Sequence, residues 1–226
     1  MNHFVVTCSL KGQENLLERC KSSVIDNSLH IKTVIRHIVK VDPIEESKRK
    51  YTLYNIINAL SPDYYRIGDD DLIHIVDGDD YIFPDALKKR EMFFRSNPKY
   101  LLAYGGYRCE SGARAKFQVQ WNGQDLRKNY WLSSHMRTFK YRLWKKVPHS
   151  LFLDQKVEYF KTCADMATMW PMMEIAGPDR CKCLTQTCYI YNDLSPLNDH
   201  KVRREQQIKD EKYLRSLSPL KRIENI

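Results

Sequence analysis

Short β-branched runs and helical stripes take turns along the first hundred residues. Val5 and Val6 sit inside His3 to Leu10, a stretch of strand length. Gln13 to Asn27 then sets Leu17, Cys20 and Val24 on one helical face. Lys32 to Asp42 reads as a second strand that ends in a carboxylate, and Lys48 to Leu60 as a helix aligning Leu53, Ile57 and Leu60. Ile73, Ile75 and Val76 make a third strand. Pro84 opens the next helix, where Asp85 suits the amino end and Ala86, Arg90 and Phe93 share a face. Tyr100 to Tyr107 reads as a further strand, with Gly105-Gly106 letting its end turn sharply. Strands alternating with helices predict an α/β fold with a mostly parallel central sheet flanked by helices.

The second half is less regular. Ser111 to Lys128 reads as a loop or small hairpin around Trp121, Asn122 and Gly123. Ser134 to Lys140 leads into a helix through Leu143 and Trp144. The clearest helix is Thr162 to Gly177, because Met166, Met169, Trp170 and Met173 follow the i, i+3, i+4, i+7 pattern and Gly177 is placed to end it. Pro171 inside it predicts a kink. Lys182 to Asn192 returns as a strand, and a basic helical tail closes the chain, with eight basic and four acidic residues from Lys201 to Ile226.

Composition narrows the class. A 226-residue chain with 42% hydrophobic and 12% aromatic residues can bury one sizeable core. No apolar run approaches the roughly 20 residues of a membrane helix, and Met1 to Leu10 reads as a strand rather than a secretory leader, so a cytoplasmic protein is expected. Seven scattered cysteines argue against a disulfide framework, and Cys181, Cys183 and Cys188 lack the second pair that a zinc site needs. The net charge of +9 points to anionic partners without choosing among nucleic acid, phosphorylated small molecules and acidic membranes.

The chemistry concentrates in Ile73 to Asp80, where the third strand delivers Asp77, Asp79 and Asp80 at its carboxyl end, with Gly78 letting the backbone bend. Ligands of open α/β sheets bind beyond such ends. Three carboxylates within four residues repel one another unless a cation joins them, and hard oxygen ligands suit Mg²⁺ or Mn²⁺ carrying substrate phosphates. Asp165, in the first turn of the Met-rich helix, is a candidate base whose ionised form the helix dipole favours. Glu174, nine residues on, is half a turn out of phase and reads as structural.

Taken together these segments resemble the inverting glycosyltransferases of family 2, which have the GT-A fold. Val5-Val6-Thr7-Cys8-Ser9 resembles the first strand of that family, Asp42 the carboxylate that holds the base, and the helix carrying Asn55 the one that returns to the nucleotide. Asp77-Gly78-Asp79-Asp80 is similar to the D-x-D element, and Asp165 occupies the place of the catalytic base, although Ala164 precedes it where Glu is usual. The stretches H-M-R-T-F-K, A-D-M-A-T-M-W-P-M-M-E-I-A-G and Y-I-Y-N-D-L-S-P-L-N-D are similar to short stand-alone members, several from phages and large DNA viruses.

The resemblance implies a single GT-A domain: residues 1–110 binding the nucleotide sugar, 111–200 the acceptor, and 201–226 a helical tail. It implies a UDP-sugar donor touched by Thr7, Ser9, Asp42, Asn55 and Asp77, and a metal on Asp79 with Asp77 and Asp80 nearby. His135, Arg137 and Lys140 are donors for phosphate or acceptor, and His200 and Lys201 a lid over the diphosphate. The acceptor is a glycan or glycoprotein hydroxyl, with a hydroxymethylated base of viral DNA as the alternative. Nucleotidyl transfer would call for a Gly-rich phosphate loop, yet Thr7 to Gln13 holds only Gly12. A basic nucleic-acid-binding module would leave the acidic cluster without a purpose.

Overall fold

The structure, a computed structural model, describes residues 1–115 and 118–226, apart from the side chain of His200. Strand β1 (His3–Leu10) lies at its heart, flanked in parallel by β2 (Ile35–Asp42) and β3 (Leu72–Asp77). The strand is covered on both faces, so its apolar residues run consecutively instead of alternating with polar ones. Phe4 and Val6 join one hydrophobic cluster and Val5 another. Helix α1 (Glu14–Asn27) adds Cys20 and Val24 to the second cluster, and α2 (Tyr51–Ala59) adds Leu53 and Ile56 to the first.

Beyond a two-residue strand β4 (Tyr81–Ile82) and helix α3 (Ala86–Ser96), the chain runs through β5 (Leu102–Tyr104) and β6 (Tyr107–Cys109). Strand β7 (Arg137–Lys140) enters antiparallel between β3 and β5, with Arg137 opposite Ile75, and leads into the single-turn helix α4 (Tyr141–Trp144). After α5 (Ala164–Ala176) come β8 (Cys181–Cys183), β9 (Tyr189–Tyr191) and the helices α6 (Asp199–Val202) and α7 (Arg204–Ser216). The main sheet has the order β2-β1-β3-β7-β5-β8, in which β7 alone runs against the rest, and a small second sheet has the order β4-β9-β6.

Two expected strands are each divided between these sheets. The stretch 100–107 splits at Gly105 and Gly106, and the stretch 182–192 splits between β8 and β9, so both partners cross from one sheet to the other side by side. The reason is close backbone approach: with φ at 85° and 79°, the two glycines lie against the 184–186 link, and a Cβ at Gly106 would come 2.2 Å from the Gln186 carbonyl oxygen. Helix α5 runs on through Pro171, and its buried residues form its whole surface rather than one stripe.

The tail is not a solvated appendage. Leu214 is buried, while Leu217, Leu220, Ile223 and Ile226 pack against the main core. Ile223 donates its backbone N–H to the Ile175 carbonyl, and Arg180 donates to the carbonyls of Ile223 and Glu224. Glu174 is structural, as expected. It pairs bidentately with buried Arg127 at 2.8 and 2.9 Å and also accepts the backbone N–H of Leu220. All seven cysteines are free thiols. Among the described residues no helix is long and apolar enough to cross a membrane.

Candidate active site

Parallel strands end on the same side, so Ser9 on β1, Asp42 on β2 and Asp77 on β3 gather at one edge of the sheet. There they line a cleft of about 530 Å³. Its far wall is the segment Lys161 to Asp165 that opens α5, and α6 closes one side with Asn198, Asp199 and Val202. Gly78 makes the junction of β1 and β3 possible. A Cβ there would stand 2.6 Å from that of Ser9 and 2.8 Å from the Cys8 carbonyl oxygen, while the Gly78 N–H donates to that same oxygen. Tight approach, rather than a left-handed bend, is what requires glycine at this point.

Charge in the cleft is organised around Arg137. Buried on β7, it donates from Nη2 to Asp77 Oδ2 at 2.9 Å. Burial works against its charge, but Asp77 and then Asp165 outweigh burial and raise its pKa. His135 lies between the rings of Tyr189 and Tyr191, at centroid separations of 4.7 and 5.2 Å. Burial, reinforced by Arg137, pushes His135 down to about 3, so its imidazole is neutral and keeps a lone pair. Asp79 is pushed up to about 6 by burial and by Asp77. Burial raises Asp165 too, against the pull of Arg137, and its Oδ1 accepts the Met166 backbone N–H at 2.9 Å. Asp199 is pushed up to about 6, by burial first and Asp165 second.

Most of the expected residues meet here: Ser9, Asp42, Asn55, Asp77, Asp79, His135, Arg137 and Asp165 all line the cleft. Asp42 is half committed elsewhere, since its two carboxylate oxygens accept the backbone N–H groups of Lys50 and Tyr51 and so fix the entry to α2. Thr7 is a correction. Strand alternation turns it toward α1, where it is fully buried and its hydroxyl hydrogen-bonds with His37 Nε2 at 2.8 Å, well inside the edge that Ser9 reaches.

Asp80 keeps its place in the expected metal group but does not itself line the cleft. Buried, it accepts the Tyr189 hydroxyl at 2.5 Å and the Asn192 N–H at 2.7 Å, which fastens β9 beneath the site. Lys140 points away, to the Pro98 carbonyl and Asp70. Lys201 likewise turns back to the carbonyls of Asp193 and Ser195. His200 falls within α6, and its side chain lies outside the described residues.

The sequence reading missed a group at the mouth of the cleft. Arg49, Tyr51, Lys161 and Arg203 all line it, with Lys161 and Arg203 over the Tyr51 ring at 5.6 and 5.0 Å. Arg203 also pairs with Glu46 at 3.0 Å. Only the turn-rich Asn192 to Asn198 hints that α6 and Arg203 fold back over the strand ends.

The donor set suits a hard divalent cation, though not quite the set expected. Ligand atoms of Asp77, Asp80 and His135 lie within 4.8 Å of one another, and Asp79 stands outside that group. Crowded carboxylates, with Asp80 held well above its ordinary value by burial and by Asp79, are what a cation would relieve. His135 brings a neutral nitrogen to the same point.

No family model matches the chain, and no curated protein matches it. Solved structures do. S. aureus TarS 1-349 superposes with a TM-score of 0.56 at 15% identity, covering 96% of this chain and 67% of that one. The same fragment in complex with UDP-GlcNAc gives 0.59 at 15% identity, over 85% of this chain and 59% of its own length. A longer TarS chain gives 0.57 at 15% identity, over 96% and 41%. Likeness at this identity shows the fold. The mixed α/β architecture with its mostly parallel six-stranded sheet is that of the TarS GT-A domain.

Proposed function

We propose that this chain is a metal-dependent, inverting glycosyltransferase that moves a sugar from a nucleotide sugar, a UDP-sugar, to a hydroxyl of a glycan or glycoprotein. The observation that carries this reading is the meeting of Asp165 with Asp77 and Asp79 in one cleft beyond the parallel strand ends. The same fold in TarS, solved with UDP-GlcNAc and with UDP, supports the nucleotide-sugar donor.

In this mechanism Ser9, Asp42 and Asn55 face the nucleoside, and the diphosphate lies toward Asp77 and Asp79. Asp77, Asp80 and His135 would hold the cation, which supplies Lewis-acid neutralisation of the leaving diphosphate. Asp165 takes the proton of the acceptor hydroxyl as that oxygen bonds to the anomeric carbon. On the opposite side the bond from that carbon to the diphosphate breaks, and its electron pair leaves with the diphosphate, so the configuration inverts. Burial makes Asp165 a stronger base than an exposed carboxylate, while Arg137 pulls the other way and favours its ionised form.

The test is thermal melting of the wild type and of Asp77→Ala with UDP, GDP and CDP, each with and without Mn²⁺. A ligand that binds only the folded state raises the melting temperature by mass action. A rise with UDP that needs Mn²⁺ and is lost in the variant is the expected result. Absence of any nucleotide-dependent rise overturns the reading, and a rise with UDP that ignores Mn²⁺ overturns its metal dependence.

A further inference from the structure

Tyr189 touches Asp77, Asp80 and His135, the three residues whose ligand atoms lie within 4.8 Å of one another. Fully buried on β9, it belongs to the second sheet, yet its side chain reaches the end of β3 in the main one. Its hydroxyl donates to Asp80 Oδ2 at 2.5 Å and accepts the Asp77 backbone N–H at 3.1 Å. Its ring stacks on that of His135, with centroids 4.7 Å apart and planes 15° from parallel. A phenol has a single proton to give, and here that proton goes to Asp80, so the direction of the hydroxyl is set.

The sheet itself leaves these groups without other guides. The ladder between β3 and β7 ends with Ile75 opposite Arg137, so the Asp77 N–H lies past the last paired residue and takes its acceptor from Tyr189 instead. Asp80 stands in the turn between β3 and β4, and its two carboxylate oxygens are aimed from the β9 side, Oδ2 by Tyr189 and Oδ1 by the Asn192 N–H. Each of those oxygens has more than one lone pair, so the bonds orient the carboxylate and still leave it able to bind a cation. Tyr191, two residues further along the same strand, covers the other face of His135. Outer partners that aim metal ligands in this way are part of a metal site, because a ligand free to turn away loses affinity.

We propose that Tyr189 is the positioning residue of the cation site, its hydroxyl setting Asp77 and Asp80 and its ring setting His135 for one shared ion. The inference rests on the metal-dependent reading above. Within it the hydroxyl acts chiefly through Asp80, whose side chain it holds directly. A second buried tyrosine gives a matched comparison. Tyr104 donates its hydroxyl to the Val119 carbonyl at 2.7 Å and accepts the Trp121 N–H at 2.9 Å, and it lines no part of the cleft.

The test titrates Mn²⁺ alone into the wild type, Tyr189→Phe and Tyr104→Phe, reading free Mn²⁺ by electron paramagnetic resonance and recording melting temperatures without metal. Both variants lose a buried hydroxyl and should melt below the wild type. Only Tyr189→Phe should bind Mn²⁺ more weakly, by about 10- to 100-fold. Wild-type affinity in Tyr189→Phe overturns the proposal, and so does an equal loss in Tyr104→Phe, which marks a general effect of destabilisation. Phenylalanine leaves the Asp80 carboxylate without its hydroxyl partner, so the substitution is also made in Asp80→Asn, where no charge is left stranded. Groups that act through one another are not additive, so in that background it should weaken Mn²⁺ binding by less than about threefold. A further loss of roughly tenfold there overturns the proposal, because the hydroxyl then acts by another route. A wild type that binds no Mn²⁺ overturns the metal reading as well, whereas a wild type that binds it beside an unaffected Tyr189→Phe overturns the role of Tyr189 alone.

Discussion

Each residue of the turn after β3 answers a different physical demand. Asp77 pairs with Arg137, Gly78 lets two backbones touch, Asp79 faces the cleft and Asp80 anchors β9 through Tyr189 and Asn192. At this scale the strongest expectation concerns Asp165. Asp165→Asn should leave the nucleotide-induced rise in melting temperature intact while lowering acceptor-dependent release of the nucleoside diphosphate by about 100- to 10,000-fold, the usual worth of a general base. A base must be ionised to act, and burial raises the pKa of Asp165. The wild-type rate should therefore fall as pH drops through a value above that of an exposed carboxylate, and a pH–rate profile of kcat checks it. Asp77, Asp79 and Asp165 were readable because strand ends and helix starts announce themselves locally. Thr7 was misplaced because it shares a strand face with Ser9, which lines the cleft, yet lies one step deeper in the sheet, and periodicity does not say how far along a strand the cleft begins. Lys161 gave no local signal and Arg203 only the turn-rich stretch before it, since the return of the chain is what brings them over the strand ends.

At the scale of elements, the early β-α alternation foretold the three parallel strands and their helices, and the Met166, Met169, Trp170 and Met173 spacing foretold α5. The two misread strands share one cause. Periodicity sees apolar runs, whereas the division at Gly105-Gly106 depends on how closely a second segment passes, and that segment lies some eighty residues further along. The paired crossing gives a direct prediction. Gly106→Ala combines a left-handed backbone with a Cβ that must displace the Gln186 carbonyl, so it should destabilise the fold by more than the usual cost of a surface change. Gly112→Ala has the same sign of φ but open space around it, so it isolates the backbone cost. Urea unfolding of the two variants side by side should show the greater loss at position 106.

For the whole molecule, the deciding contacts join distant segments. Arg127, Glu174 and Leu220 meet in one buried knot that ties the 111–136 region, α5 and the last ten residues together. Breaking a buried pair by removing one partner costs about 3–5 kcal/mol, so Glu174→Ala should lose that much in urea unfolding. Deleting residues 217–226 should also lower the melting temperature sharply, because Arg180 loses its carbonyl acceptors at Ile223 and Glu224 and the core loses its cover of Leu217, Leu220 and Ile223. The same stitching sets an order of assembly: α5, and with it Asp165, gains its full set of buried partners only once residues 217–226 have folded onto it.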